Sequence, residues 1–215
     1  MDYNRIYEYR FRGTDRDKKI MTWELIARFL FRELGRPASV LDPAAGECEF
    51  INAVPAAEKW AVDLNGTFLA RHASPGVITI TGNSLEADLP ENHFKAAFLS
   101  NILEHLYSPE EIQQLLIRMH RTLAKGGKIA VMGPNFAYCA RNYFDFADHR
   151  LILTHRSVEE HLVSAGFRVD KSIARFLPFS FTGRLPVNRS LVSVYLANPV
   201  LWKIFGKQFL VIASK

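Results

Sequence analysis

Residues 39–50 read S-V-L-D-P-A-A-G-E-C-E-F, and this stretch decides how the rest of the chain can fold. Residues 40–41 are typical of the end of a short buried strand, and Asp42 places a carboxylate directly after it. Residues 43–46 predict a tight loop of small side chains that opens a helix. Such a loop lets a ligand lie against bare backbone, with the free N–H groups of the helix start pointing toward it. The alternative is a βα turn that binds nothing.

Length and composition indicate a globular protein. The 215 residues are 48% hydrophobic and 23% charged, enough for a sizeable core and unlike a disordered chain. No run approaches the roughly 18 uninterrupted apolar residues of a membrane span, and the amino terminus lacks the apolar core of a signal peptide. Two cysteines, Cys48 and Cys139, are too few for a disulfide framework or zinc cluster. We therefore expect a single cytoplasmic domain over residues 1–215.

The net charge of +5 is concentrated in the last part of the chain. Seven Lys and Arg residues and no acidic residue follow Asp170, whereas the first 170 residues are close to neutral. Between Arg175 and Lys207 the basic residues alternate with aromatic ones. This pattern is typical of core or substrate-lid residues, or of a surface that meets an anionic membrane or a lipid-linked substrate. No nucleic acid is expected, because the charge is modest and scattered and no recognition motif is visible.

Strand patterns alternate with helix patterns along the whole chain, which predicts an α/β fold with a seven-stranded, mostly parallel sheet and helices on both faces. The predicted strands are 40–41, 59–62, 77–81, 94–99, 128–132, 167–173 and 208–214, and the predicted helices are 15–34, 47–54, 108–123 and 157–166. Capping-box patterns begin the last two helices, at Ser108 and Ser157. The last two strands flank an insertion at about 174–207 and are expected to pair as a hairpin at one edge.

Short polar residues follow five of these strands. They are Asp42, Asp63, Asn83, Ser100 and Asn135. Because the carboxyl ends of parallel strands meet at one edge of a sheet, they predict a single ligand crevice. Asp63 lies 21 positions after Asp42, where an acidic side chain can accept both hydroxyls of a ribose; its alternative role is a helix N-cap. Asn83 and Ser84 can meet an adenine edge, or form a simple turn.

A nicotinamide cofactor is the obvious rival ligand. Its G-x-G-x-x-G loop would need glycines where this chain has Ala44, Gly46 and Glu49. Glu47 and Glu49 would repel a diphosphate and favour a ligand that carries an ammonium or sulfonium group. A nicotinamide-dependent oxidoreductase and a non-catalytic nucleotide-cofactor-binding protein remain the alternatives to the function described next.

Five motifs in succession, V-L-D-P-A-A-G-E-C, A-V-D-L-N, G-N-S, F-L-S-N-I-L-E-H-L and L-A-K-G-G-K-I-A-V, resemble those of class I S-adenosylmethionine-dependent methyltransferases in order and spacing. E-F-I-N, S-N-I-L-E-H-L, D-F-A-D-H and G-K-Q-F-L-V together resemble small methyltransferases of polysaccharide and lipid-linked glycan pathways. The resemblance implies a Rossmann-like fold, with S-adenosylmethionine as cofactor and S-adenosylhomocysteine as product. It also implies three parts: an N-terminal cap segment and helix (1–36), a cofactor-binding core (38–133) and a substrate-side region (134–215).

The resemblance also implies roles for individual residues. The methionine part of the cofactor would contact Asp42, Ala44 and Gly46, the ribose Asp63, and the adenine Leu64, Asn83 and Ser84, while Ser100 would offer a backbone contact to the amino group. Ala44 and Cys48 replace glycines of the family pattern, and Asn83 replaces an aspartate. Arg12, with Tyr7 and Tyr9, is a further candidate that would fold over the crevice to meet the cofactor carboxylate; the alternative is aromatic packing at the sheet edge.

Methyl transfer to a hydroxyl of a sugar, glycolipid or other small molecule needs an aligned nucleophile and a group that removes its proton. Histidine is the natural base near neutral pH, and our hypothesis is that His149, with Asp148, faces the acceptor; His105 and His155 are the further candidates. The alternative for each is a packing or surface role. The pair Glu104-His105 also resembles part of a metal site in some quinone-pathway relatives, but Asn101 stands where a further carboxylate would be needed. No metal is predicted.

Overall fold

Seven strands form one sheet in the computed structural model, which describes residues 5–6, 9–10, 12–179 and 187–215. The strands are β1 (Ser39–Asp42), β2 (Glu58–Asp63), β3 (Val77–Thr81), β4 (Phe94–Ser100), β5 (Leu123–Pro134), β6 (Arg168–Ile173) and β7 (Gln208–Ser214). Their order is β3-β2-β1-β4-β5-β7-β6, and only β7 runs antiparallel to its neighbours. The predicted mostly parallel sheet and the antiparallel last pair are confirmed.

Helices cover both faces of this sheet. They are α1 (Arg16–Glu33), α2 (Glu49–Ala53), α3 (Gly66–His72), α4 (Pro109–Thr122), α5 (Phe136–Cys139), α6 (His155–Ser164), α7 (Arg189–Ala197) and α8 (Pro199–Phe205). Alternate strand residues point to opposite faces, so Val40 joins the core beneath α1 and Leu41 joins the core beneath α4. Both clusters are buried, which is the usual state of a parallel sheet. Among the described residues, no helix is long and apolar enough to cross a membrane.

The helix starts follow local hydrogen-bonding chemistry, with one difference from the sequence prediction. The Ser108 hydroxyl oxygen accepts the N–H of Glu111 at 3.3 Å, so α4 begins as predicted. Helix α6 begins at His155 instead of Ser157, because Thr154 is its N-cap and Ser157 is the third helical residue. Each hydroxyl of this pair accepts the backbone N–H of the other, at 3.2 and 3.0 Å. The capping box is real, but it lies three residues earlier than the sequence reading placed it.

The connection between β6 and β7 contains two helices, α7 and α8, that the sequence did not predict. Their inner sides pack through Leu196 and Trp202 against α1, where Trp202 meets the ring of Phe29 edge-on at 5.8 Å between centroids. Apolar side chains also occupy their outer sides, so no single apolar stripe marks either helix in the sequence. Residues 180–186, between β6 and α7 in the chain, lie outside the described residues.

Candidate cofactor and acceptor site

Asp63 ties together the loops that follow β1 and β2. One of its carboxylate oxygens accepts the N–H of Gly46 at 2.8 Å, and the other accepts the N–H of Asn65 at 2.8 Å. The alternative role of Asp63 as a helix N-cap is wrong, because the Asn65 side chain caps α3 by accepting the N–H of Phe68. Asp63 is only half-buried, so its carboxylate remains open to a ligand that lies along the strand ends.

The loop after β1 turns through two left-handed residues. Gly46 has φ 52° and Cys48 has φ 61°, and the Cys48 N–H donates to the Ala45 carbonyl at 2.7 Å. A left-handed backbone favours glycine. The methyltransferase motif that this loop resembles has glycine at the position of Cys48, and this backbone conformation explains that preference. Cys48 is fully buried, and its backbone conformation is less favourable for a residue with a side chain than for glycine.

Asp42 is buried beneath this loop and accepts the N–H of Ala44 at 3.3 Å. Burial, together with the negative charges of Asp63 and Glu49, raises the pKa of Asp42 to about 8. The carboxyl group is therefore largely protonated at neutral pH. A cation beside Asp42 would favour its ionised form instead, since an opposite charge lowers a carboxyl pKa.

Lys19 of α1 balances the two glutamates of the loop. Its ammonium group lies 3.0 Å from a Glu47 carboxylate oxygen and 2.5 Å from one of Glu49. The expected repulsion between these glutamates and a diphosphate is therefore weaker than the sequence alone indicates. A cleft of about 180 Å³ opens beside Glu47 and is lined by Thr14, Arg16, Lys19, Glu47 and His72.

The strand ends on the adenine side are joined by short side chains. The Ser84 hydroxyl donates to the Pro43 carbonyl, which fixes the loop after β3 to the loop after β1. The Asn83 side-chain oxygen accepts the N–H of Leu85 at 3.0 Å, so it also stabilises its own turn. Leu64, directly after Asp63, is 74% exposed, so its apolar side chain is accessible to a ligand.

The remaining polar strand ends differ from each other. Ser100 is half-buried at the end of β4, where its hydroxyl oxygen accepts an N–H of the Asn101 side chain at 3.0 Å. Asn135 is fully buried, and its amide nitrogen donates to the Ala174 carbonyl at 2.8 Å. The expectation that Asn135 lines the crevice is therefore wrong: its side chain joins β5 to the chain that follows β6.

A second group of polar residues assembles beyond the end of β4. Glu104 and His105 form a single 3₁₀ turn there, and the Glu104 carbonyl accepts the N–H of Arg150 at 2.8 Å. This bond brings the segment after β5 alongside the turn. The Nδ1–H of His105 donates to the Asp148 carbonyl at 3.0 Å, and the Asp148 carboxylate lies 3.6 Å from the same nitrogen. In the neutral ring, Nε2 is then the nitrogen that can accept a proton.

Arg10 holds the other side of Asp148, and sequence reasoning missed it. Its guanidinium group forms an ion pair with the Asp148 carboxylate and lies 4.7 Å from the centre of the Phe146 ring. Burial alone would raise the pKa of Asp148, but Arg10 and His105 together lower it below the usual value. Arg12, the predicted arginine, stacks on Tyr9 at 3.8 Å, and Tyr7 lies outside the described residues. No periodicity in residues 1–14 separates Arg10 from Arg12, so the sequence offered no signal.

His149 lies against aromatic rings instead of solvent. It stacks on Phe146 with 5.0 Å between ring centroids and meets Tyr143 edge-on at 4.8 Å. Burial, and the neighbouring charge of His105, lower the pKa of His149 to about 4, so the ring is neutral at physiological pH. His155 forms a hydrogen bond with Asn135, whose amide nitrogen lies 3.0 Å from the Nδ1 of His155. Burial lowers the pKa of His155.

Within the described residues, one group has donor atoms placed to hold a metal ion: Glu104, His105 and His149, whose donor atoms lie within 4.8 Å of one another. Glu104 is 1% exposed, and burial raises its pKa. Arg10 lowers the pKa of both Glu104 and His149, but the Asp148 carboxylate with which it is paired raises both. The absence of a metal stays our prediction, because Asn101 stands where a further carboxylate ligand would be needed.

Comparison with known proteins agrees with this geometry. The family model described as methyltransferase domain matches residues 41–131. A SAM-dependent methyltransferase from Archaeoglobus fulgidus is 21% identical, covers 100% of both chains and has a TM-score of 0.66. One from Thermotoga maritima, described as a possible histamine N-methyltransferase, is 14% identical over 98% of this chain and 99% of that chain, with a TM-score of 0.67. No curated protein sequence matches significantly.

A third solved structure is geranyl diphosphate C-methyltransferase from Streptomyces coelicolor A3(2), in complex with Mg²⁺, geranyl diphosphate and S-adenosylhomocysteine. It is 14% identical over 87% of this chain and 76% of that chain, with a TM-score of 0.64. The sheet order, the loop after β1 and the matched domain together define a Rossmann-like fold of class I. Residues 41–131 therefore match a methyltransferase domain, and the fold is the one seen in solved S-adenosylmethionine-dependent methyltransferases.

Proposed function

We propose that this chain is an S-adenosylmethionine-dependent methyltransferase, that it transfers the methyl group to a hydroxyl of a sugar, a glycolipid or another small molecule, and that His105 removes the hydroxyl proton. The orientation of His105 carries this proposal: its Nδ1–H is held by the Asp148 carbonyl at 3.0 Å, which leaves Nε2 as the proton acceptor. The names of the similar solved proteins indicate methyl transfer to nitrogen in one and to carbon in another. The fold alone therefore does not determine which atom accepts the methyl group.

The strand ends of β1 to β4 bind and align the cofactor. Asp63 would accept hydroxyl hydrogens of the ribose, and Leu64 would pack on the adenine together with the turn at Asn83 and Ser84. Asp42 and the loop through Ala44 and Gly46 would hold the methionine part. S-adenosylmethionine supplies a methyl group on a positively charged sulfur, which is already a good leaving group. The chain therefore contributes mainly alignment, an effect worth up to about 7–11 kcal/mol.

A hydroxyl nucleophile also needs a base, and His105 is better suited to this than the other two candidates. His149 has a pKa of about 4, so it binds a proton too weakly to remove one efficiently near pH 7. Its ring instead extends an aromatic wall formed with Phe146 and Tyr143. The Asp148 carboxylate lies 3.6 Å from Nδ1 of His105, and the Asp148 backbone carbonyl holds the ring in the orientation that leaves Nε2 free of this contact.

Methyl transfer from isotopically labelled S-adenosylmethionine tests this proposal directly. The full chain is incubated with the labelled cofactor and a panel of sugars, glycolipids, phenols, amines and carbon nucleophiles, and the products are identified by NMR. We expect labelled methyl ethers, formed together with S-adenosylhomocysteine. A methyl group found on nitrogen or carbon would contradict the hydroxyl acceptor, and cofactor binding without product from any acceptor would favour the non-catalytic alternative.

A further inference from the structure

The outer sides of α7 and α8 are unusually apolar for a protein surface. Five large apolar side chains on these two short helices are 44–61% exposed: Leu191, Val194, Val200, Ile204 and Phe205. Spacings of three and four residues place Leu191 with Val194, and Val200 with Ile204, on common helix faces. Single exposed apolar residues are ordinary, but a set of this kind on adjacent helices marks a contact surface.

The exposed apolar residues do not result from poor packing of the two helices, because the inner sides of both helices are buried against the rest of the protein. Leu196 and Trp202 are buried, and the Trp202 indole N–H donates to the Tyr195 carbonyl at 2.7 Å. The Tyr195 hydroxyl donates to the Phe176 carbonyl at 2.6 Å. Asparagine side chains cap both helices, at Asn188 and Asn198. The two helices are therefore well formed, and their apolar outer sides are a separate feature.

The charge of the sequence that contains this surface indicates what the surface meets. Residues 171–215 contain seven Lys and Arg residues and no Asp or Glu, although Lys171 is paired with Glu33 and Lys215 donates to the Leu123 carbonyl. On the helices themselves, Lys203 is exposed, and Arg189 is exposed while paired with Glu24 of α1 at 2.6 Å. A second copy of the chain docked on this face would bring only basic side chains of the two insertions together. An anionic lipid surface complements both the apolar residues and the charge.

The same insertion reaches the acceptor side of the crevice. Phe179 belongs to this insertion, and its ring meets Phe146 edge-on with 5.2 Å between centroids. Phe146 in turn stacks on His149. Helices α7 and α8, with nine and seven residues, are too short to span a bilayer, so they can only lie along its surface. We propose that α7 and α8 dock the protein on an anionic membrane surface through this apolar and basic face.

Vesicle co-sedimentation tests the proposal without acceptor or cofactor, so its outcome is independent of the methyl-transfer reaction. The probe is phosphatidylcholine vesicles with and without phosphatidylglycerol, at low and high salt. We expect binding only to the anionic vesicles, weakened by salt. The double variant Val200→Asp/Ile204→Asp should lose at least about tenfold in affinity, since two apolar side chains no longer enter the lipid. Lys203→Glu should lose about tenfold through charge alone.

Val163→Asp is the matched control, because Val163 is 60% exposed on α6, outside the insertion. It should bind vesicles like the wild type. Thermal melting and cofactor titration establish that each variant is folded; if the double variant is not, Lys203→Glu and the salt dependence decide. The proposal is overturned if the wild type ignores anionic vesicles or if Val163→Asp loses as much affinity as the double variant. It is also overturned if light scattering finds a dimer that Val200→Asp/Ile204→Asp dissociates.

Discussion

The two halves of the crevice are built in different ways. On the cofactor half, Asp63 fixes a loop only 17 residues away, through the Gly46 N–H. On the acceptor half, His105 meets Asp148 over 43 residues, and Arg10 meets Asp148 over 138. The first half is specified by strands β1 to β3 and the turns directly after them, including the hydrogen bond from Ser84 to Pro43 that joins two of those turns. The second exists only once distant segments have packed, so a change in one of its residues acts through partners that lie far away in the chain.

The acceptor half should give the largest single effect. His105→Ala removes the proposed base and should lower kcat by about 10²–10⁴, with the KM for S-adenosylmethionine unchanged. His155→Ala is the matched control and should leave kcat near the wild-type value, since His155 is bound to Asn135. Steady-state kinetics with the identified acceptor measures both. Equal losses in the two variants, or none in His105→Ala, would remove His105 from the mechanism.

In the cofactor half, the left-handed backbone at Cys48 should make the free energy of unfolding sensitive to substitution. Cys48→Val places a β-branched side chain at φ 61° and should lower the free energy of unfolding by about 1–3 kcal/mol. Cys139→Val makes the same change at a buried thiol whose residue has φ −130°. Denaturant unfolding of both variants compares them, and the left-handed site should be the more sensitive. An equal loss at the two positions would mean that packing, not backbone conformation, sets the cost.

Asp42 should make the stability of the cofactor half depend on pH. Its pKa is raised in the folded state, from 3.8 to about 8, so its contribution is fully present below pH 3.8 and is lost as the pH rises through 8. Asp42→Asn stays neutral and lacks this dependence. The variant should therefore gain stability relative to the wild type between pH 4 and pH 8, measured by denaturant unfolding across that interval. A difference that stays constant with pH would contradict the raised pKa.

The smallest expected effect is that of a chelator. We predict that methyl transfer needs no metal at the group of Glu104, His105 and His149, because Asn101 stands where a further carboxylate ligand would be needed. Prolonged treatment with EDTA should leave kcat unchanged. A loss of activity that one divalent metal restores would show that Glu104, His105 and His149 act as ligands and would replace the proposed base mechanism.

The contrast between the two halves also sets what the sequence could predict. The mostly parallel sheet and the placement of Asp42 and Asp63 at strand ends follow from alternating patterns and from polar residues after strands, because both are local signals. Asn135 shows the limit of that reasoning: it has the same position after a strand, yet it is fully buried against the chain beyond β6.

Long-range packing explains the features that the sequence did not predict. Arg10 and Arg12 are equivalent in the sequence, and only tertiary contacts place Arg10 against Asp148. Lys19 changes the electrostatics of the loop because α1 carries it to Glu47 and Glu49. Helices α7 and α8 escaped prediction because both of their sides are apolar, which removes the periodic signal.

The central claim is that S-adenosylmethionine lies across the strand ends with its ribose bound by Asp63. Calorimetric titration of the full chain with S-adenosylmethionine and S-adenosylhomocysteine tests it most directly, using wild type, Asp63→Ala and Glu91→Ala, an exposed carboxylate before β4. We predict that Asp63→Ala weakens both ligands by about 100-fold, since two hydrogen bonds to a charged group are lost, and that Glu91→Ala binds like the wild type. Unchanged affinity in Asp63→Ala, or no heat of binding in the wild type, would contradict the account.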